Sequence, residues 1–117
     1  MSYVSIVIVL VFILLDVVGG LLKAFSTTGF DSSVMRKGFF HKLSELLSVA
    51  LCVVADASLP SLGIPVDVNF SAMCCTYLVL MEIGSILENI GAVNPELRKP
   101  LSKIFAKLKG GNSDETE

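Results

Sequence analysis

The sequence predicts an all-α integral membrane protein with three transmembrane helices, and three observations predict it. Apolar runs recur at residues 3–22, 43–62 and 70–90, each near the ~20 residues that cross about 30 Å of hydrocarbon at 1.5 Å per residue. The basic residues fall in two clusters, with none in the connection between the second and third runs. Composition agrees: 53% of the 117 residues are apolar, 17% are charged, and the mean hydropathy is +0.76. A water-soluble chain this short could not bury so much apolar surface in its own core.

The first span, 3–22, carries one charge, Asp16. A cleaved signal peptide would need a basic leading region and a small-residue exit. Met1-Ser2-Tyr3 has no basic side chain and Lys23-Ala24-Phe25 is a poor exit, so a retained span is expected. The second span, 43–62, should stop at Pro60 and Pro65, whose rings cannot continue a helix. Its uninterrupted apolar portion, Val49 to Ala55, is short, and a re-entrant or interfacial hairpin is the alternative. The third span, 70–90, is long enough but contains Glu82 and Glu88.

Basic residues flanking a span tend to stay on the cytoplasmic side. Lys23, Arg36, Lys37 and Lys42 lie between spans one and two; Arg98, Lys99, Lys103, Lys107 and Lys109 follow span three. Three spans with the N-terminus outside and the C-terminus inside satisfy both clusters, whereas two or four spans strand one of them. The connecting pieces read as interfacial. Asp31-Ser32-Ser33 offers an N-cap for a short helix over 32–42, which Gly38 bends into the second span. Asn94-Pro95 makes a turn, and Pro100 opens an amphipathic helix over 100–109. There Leu101, Ile104, Phe105 and Leu108 share a face while the lysines lie off it, which suits an anionic inner leaflet. Packing on a neighbouring subunit is the alternative. Residues 1–109 thus form one membrane domain, and 110–117, with Asp114, Glu115 and Glu117, a flexible acidic tail.

An ionisable side chain at mid-membrane costs about 2.5–3.5 kcal/mol on insertion scales, so it should face protein or water. Each span gathers its polar residues on one helical line. In span one the line is Asp16, Gly19, Gly20 and Lys23, where the glycines admit a close neighbour. In span two it is His41, Glu45, Ser48, Cys52 and Asp56; in span three, Cys75, Glu82, Ser85, Glu88 and Asn89. Three such lines are hard to hide in one small chain, which predicts an oligomer whose stripes partly line water. Asp16 and Glu82 sit about 20 and 18 Å from the outer boundary, where no lysine or arginine reaches. Wetting of an assembled pore would ionise them; hydrogen bonding between helices is the plainer role.

Other chemistries find little support. Cys52, Cys74 and Cys75 lack metal-site spacing and read as small buried hydrophobes. His41, the single imidazole, lies beside Lys42 with no serine or cysteine at nucleophile spacing, so neither an enzyme nor a cofactor is expected. The net charge of -2 averages basic and acidic regions, and no basic, aromatic-laced face suggests nucleic acid.

These residues resemble the bacteriophage holin family, which includes holins linked to clostridial toxin secretion. The most specific block is Glu82-Ile83-Gly84-Ser85-Ile86-Leu87-Glu88-Asn89-Ile90-Gly91, similar to the family's glutamate, Ser-Ile-Leu-Glu-Asn and glycine signature. Ser33 to Lys42 resembles its basic, glycine-containing approach to the second span, and Asp16 with Gly20-Leu21-Leu22-Lys23-Ala24 the end of its first. Ala92-Val93-Asn94-Pro95 departs from the family's Gly-Val-Pro-like turn. The resemblance implies a homo-oligomer in the bacterial cytoplasmic membrane that opens lesions, collapses the proton-motive force and releases an endolysin or a toxin, without binding it. An antiholin that delays opening and a non-lytic channel or transporter subunit are the rival readings.

Overall fold

The computed structural model describes residues 3–27, 29 and 31–110, the side chains of 108–110 excepted. Four α-helices follow one another: α1 (Tyr3–Ser26), α2 (Ser32–Ser61), α3 (Phe70–Val93) and α4 (Arg98–Gly110), with a short 3-10 turn, Pro95–Leu97, before the last. The all-α expectation holds, and α1, α2 and α3 are long and apolar enough to cross a membrane. At 24, 30 and 24 residues they extend about 36, 45 and 36 Å.

The segment expected to lie at the interface and the second span form a single helix, with no break at Gly38. Asp31 starts it: its Oδ1 accepts from Ser33 N at 3.0 Å and from the Ser33 hydroxyl at 2.9 Å. Pro60 lies inside the helix, which ends one residue later at Ser61. A proline in the last turn removes one ladder bond and stops propagation without breaking the body of the helix. The end is closed by Gly63, in the left-handed region at φ +81. Its N–H reaches Pro60 O at 3.0 Å and Ile64 N reaches Leu59 O at 3.1 Å, the pair of bonds that marks a Schellman cap.

The chain divides into two compact units, Met1–Val11 with Asp31–Val79, and Phe12–Phe30 with Leu80–Glu117. In the first, Val9, Glu45, Val49, Ser71, Cys75 and Leu78 are buried. In the second, Ile13, Asp16, Glu82 and Gly91 are buried. The outward faces are greasy, with Leu14 62%, Leu47 71%, Leu51 67% and Tyr77 64% exposed. Water would penalise that arrangement, whereas lipid accepts it. Three acids and the Ser71 hydroxyl thus share the buried positions with a few apolar side chains, while most leucines face outward, unlike a soluble domain.

The expected acidic tail, from residue 111 onward, lies outside the described residues, as do the side chains of Leu108 and Lys109. In α4, Ile104 is 62% exposed, and Leu101 and Phe105 are half-buried.

Candidate functional site

The polar residues of the three long helices form the candidate site, in two groups. In the first unit, Asp56 lies near the end of α2 and binds the start of α3. Its Oδ1 accepts from Phe70 N at 2.8 Å, and its Oδ2 accepts from Ser71 N at 2.9 Å and from the Ser71 hydroxyl. Asn69 completes the cap, its Oδ1 accepting from Ala72 N at 3.0 Å and the Ser71 hydroxyl at 3.0 Å. Three N–H groups that the helix cannot itself satisfy thereby find partners. The carboxylate also sits where the helix dipole favours a negative charge. Asn69-Phe70-Ser71, directly ahead of an apolar run, is a helix-start signature that sequence reading passed over.

One helix body away, Glu45 is buried at 6% exposure. Its Oε2 lies 3.4 Å from His41 Nδ1 and its Oε1 3.9 Å from Lys42 Nζ. Both partners come from the preceding turn of the same helix, so α2 supplies its own polar neighbours to this acid. Ser48 is exposed, and its hydroxyl donates to Ser44 O at 2.9 Å. A serine bonded back to its own helix can face lipid with its hydroxyl satisfied. Cys52 and Cys74 are half-buried and Cys75 buried, all as free thiols.

In the second unit, Asn89 Nδ2 donates to Asp16 Oδ1 at 3.1 Å, joining α1 to α3 across 73 residues of sequence. Asp16 is 7% exposed. Gly19, one turn further along α1, explains the close approach: a Cβ there would lie 3.3 Å from Asn89 Cβ and 3.4 Å from its Nδ2. At Gly20 the nearest such atom is at 3.9 Å, ordinary contact. Lys23 is exposed, and its carbonyl accepts from the Thr27 hydroxyl at 2.6 Å. Glu82 is 1% exposed and Ser85 half-buried, while Glu88 is exposed. Six residues of helix turn Glu88 about 120° from Glu82, off the buried face.

The basic residues lie mostly outside these groups. Arg36, Lys37, Lys99, Lys103 and Lys107 are exposed, and Lys42 half-buried. Arg98 instead closes α3: its Nη2 donates to Gly91 O at 3.1 Å. A Cβ on Gly91 would lie 3.0 Å from Arg98 Nε, so the glycine leaves room for that side chain. Asn94, expected to turn the chain with Pro95, does so: its Oδ1 accepts from Glu96 N at 3.2 Å; the contact of Gly91 with Arg98 was not read from sequence. No group of three histidine, cysteine or acidic side chains that could hold a metal occurs among the described residues.

Against known proteins, residues 3–110 match the bacteriophage holin family. The chain is also similar to an uncharacterised protein of Halalkalibacterium halodurans, at 27% identity over 106 residues, 91% of this chain and 78% of that one. No solved structure matches it.

Proposed function

The chain belongs to the bacteriophage holin family, and from that premise we propose that it is a phage-type holin of the bacterial cytoplasmic membrane. Copies inserted with the N-terminus outside and the C-terminus inside self-associate, open lesions and collapse the membrane potential. An endolysin, or a toxin without a signal peptide, then leaves through the lesion without being bound. The observation that carries this reading is the distribution of side chains: Asp16, Glu45 and Glu82 buried, with leucines and valines exposed over the same helices. Acids held among helices are shielded from lipid in the closed chain and are available to line water when copies rearrange. The basic residues at the end of α1, in the first turns of α2 and in α4 support the orientation, and the exposed lysines of α4 suit an anionic leaflet.

Expression in a bacterium with a potential-sensitive dye tests the proposal, with and without a co-expressed endolysin. A holin gives an abrupt loss of potential, and lysis follows only when the endolysin is present. Steady ion leakage without lysis would indicate a channel or transporter subunit instead. Delayed lysis on co-expression with an active holin would indicate an antiholin. Asp16→Asn and Glu82→Gln should shift the time of opening or the conductance; if both leave them unchanged, the buried acids have no part in the water-lined state.

A further inference from the structure

Three thiols lie in the apolar part of the first unit, and the proposed permeabilising role uses none of them. Their placement follows from the Asp56 contacts. Asp56 meets Phe70 and Ser71, and α2 and α3 are joined by the short connection 62–69, so the two helices run past each other in opposite directions. One turn deeper along α2 is position 52; one turn deeper along α3 are positions 74 and 75. There the half-buried Cys52 of α2 and the half-buried Cys74 of α3 are neighbours, one turn in from the Asp56 contacts. Cys75, 4% exposed, points about 100° away around α3.

We infer that Cys52 and Cys74 form a redox-modification site, at which oxidation makes an intramolecular disulfide that fastens α2 to α3. Both helices are already held in register by the Asp56 cap. The sulfurs therefore reach the bonding distance of about 2 Å through side-chain rotation, with neither residue leaving its helix. In the reaction both S–H bonds break and one S–S bond forms. The two electrons and two protons pass to the oxidant, which is a lipid-soluble quinone leaving as the quinol. Solubility in lipid is required because Cys52 lies ten residues, about 15 Å, inside the Leu62 end of α2.

The test uses the full chain in phosphatidylglycerol vesicles, oxidised with diamide, a lipid-soluble diazene that takes up the same two electrons and two protons as its hydrazine. Remaining thiols are then counted by gel shift with a polymer-linked maleimide after denaturation. The native chain is expected to fall from three additions to one, with the loss of two hydrogens in intact mass. Cys75→Ser should fall from two additions to none. Cys74→Ser should keep both, or lose them about tenfold more slowly, because the sulfurs no longer meet. Cys→Ala versions of the same pair give the same pattern if the serine hydroxyl disturbs insertion. Equal oxidation of the Cys74→Ser and Cys75→Ser chains would overturn the inference. So would the persistence of all three thiols, or their loss solely as disulfide-linked dimers on a non-reducing gel. Since the count is made on closed vesicles, it stands or falls independently of whether the chain permeabilises membranes.

Discussion

Asp56 and Asp16 are both aspartates set in apolar helices, but they meet different kinds of donor. Asp56 takes backbone N–H groups from the start of α3, together with the Ser71 hydroxyl. Those N–H groups belong to a helix end, where α3 itself offers them no acceptor. Asp16 meets a side-chain amide, that of Asn89. A side-chain bond of this kind can be exchanged for the same bond to another copy of the chain at little net cost, since interhelical hydrogen bonds in membranes average only about 0.6 kcal/mol. The first contact is thus suited to holding a hairpin together for the life of the protein. The second would suit rearrangement in the proposed self-association.

If that contrast is right, the largest effect should come from Asp56→Ala. It leaves Phe70 N and Ser71 N without their acceptor, and amide exchange at both should rise about tenfold or more in detergent-solubilised protein. Asp56→Asn, which keeps one carbonyl oxygen, should recover part of the protection. Ser71→Ala removes a fully buried hydroxyl and should cost about 1 kcal/mol in the same preparation. Should Asp56→Ala exchange like the parent chain, the α2–α3 fastening is not where the geometry puts it.

Next in size is Gly19→Leu. Even a Cβ would stand 3.3 Å from Asn89 Cβ, so a leucine must push α3 away or move Asn89, an overpacking cost of about 1–3 kcal/mol. Asn89→Ala removes the Asp16 bond without the clash, and should cost only about 0.6 kcal/mol and at most about 1.7. Reversible unfolding in mixed micelles separates the two. An Asn89→Ala loss as large as that of Gly19→Leu would erase the distinction between the two aspartates.

The difference between these regions also explains what the sequence made legible. Bilayer thickness dictates a run of ~20 apolar residues, so all three long helices could be read from composition along the chain. The helix boundaries were less legible. Gly38 costs a helix about 1 kcal/mol relative to alanine, too little to break α2 once Asp31 caps it and its apolar face is in place. Pro60 falls in the last turn, where it ends the helix without shortening it much. The acids themselves stood out as ionisable groups in an apolar background, but their partners did not. Asp56 finds Ser71 across a connection whose path no periodicity encodes, and Asp16 finds Asn89 from 73 residues away. Helical phase alone placed Glu88 on a line with Glu82, and Ser48 on a line with Glu45. Both are exposed, because steps of three and six residues drift about 60° and 120° around the helix.

A third aspartate sharpens the comparison from the other side, and gives the smallest expected effect. Asp31 caps α2 as Asp56 caps α3, but it is exposed and serves its own helix. The Ser33 hydroxyl, then the backbone N–H groups of Ser33 and Val34, hold its carboxyl below the ordinary value of 3.8. These bonds favour the ionised form in the folded chain. The cap's contribution is therefore complete above the unfolded value and is lost as pH falls through the lower folded value. Amide exchange at Ser33, corrected for its intrinsic pH dependence, should stay level from pH about 7 down to about 5 and rise only below the ordinary carboxylate range. Ser33→Ala removes the largest cause of the depression and should move that rise to higher pH. Water can replace the lost acceptor at Asp31, so Asp31→Ala should loosen the first turn of α2 and leave the rest of the helix protected. If instead it unprotects α2 as broadly as Asp56→Ala unprotects α3, joining two helices is not what sets the Asp56 contact apart from a cap within one helix.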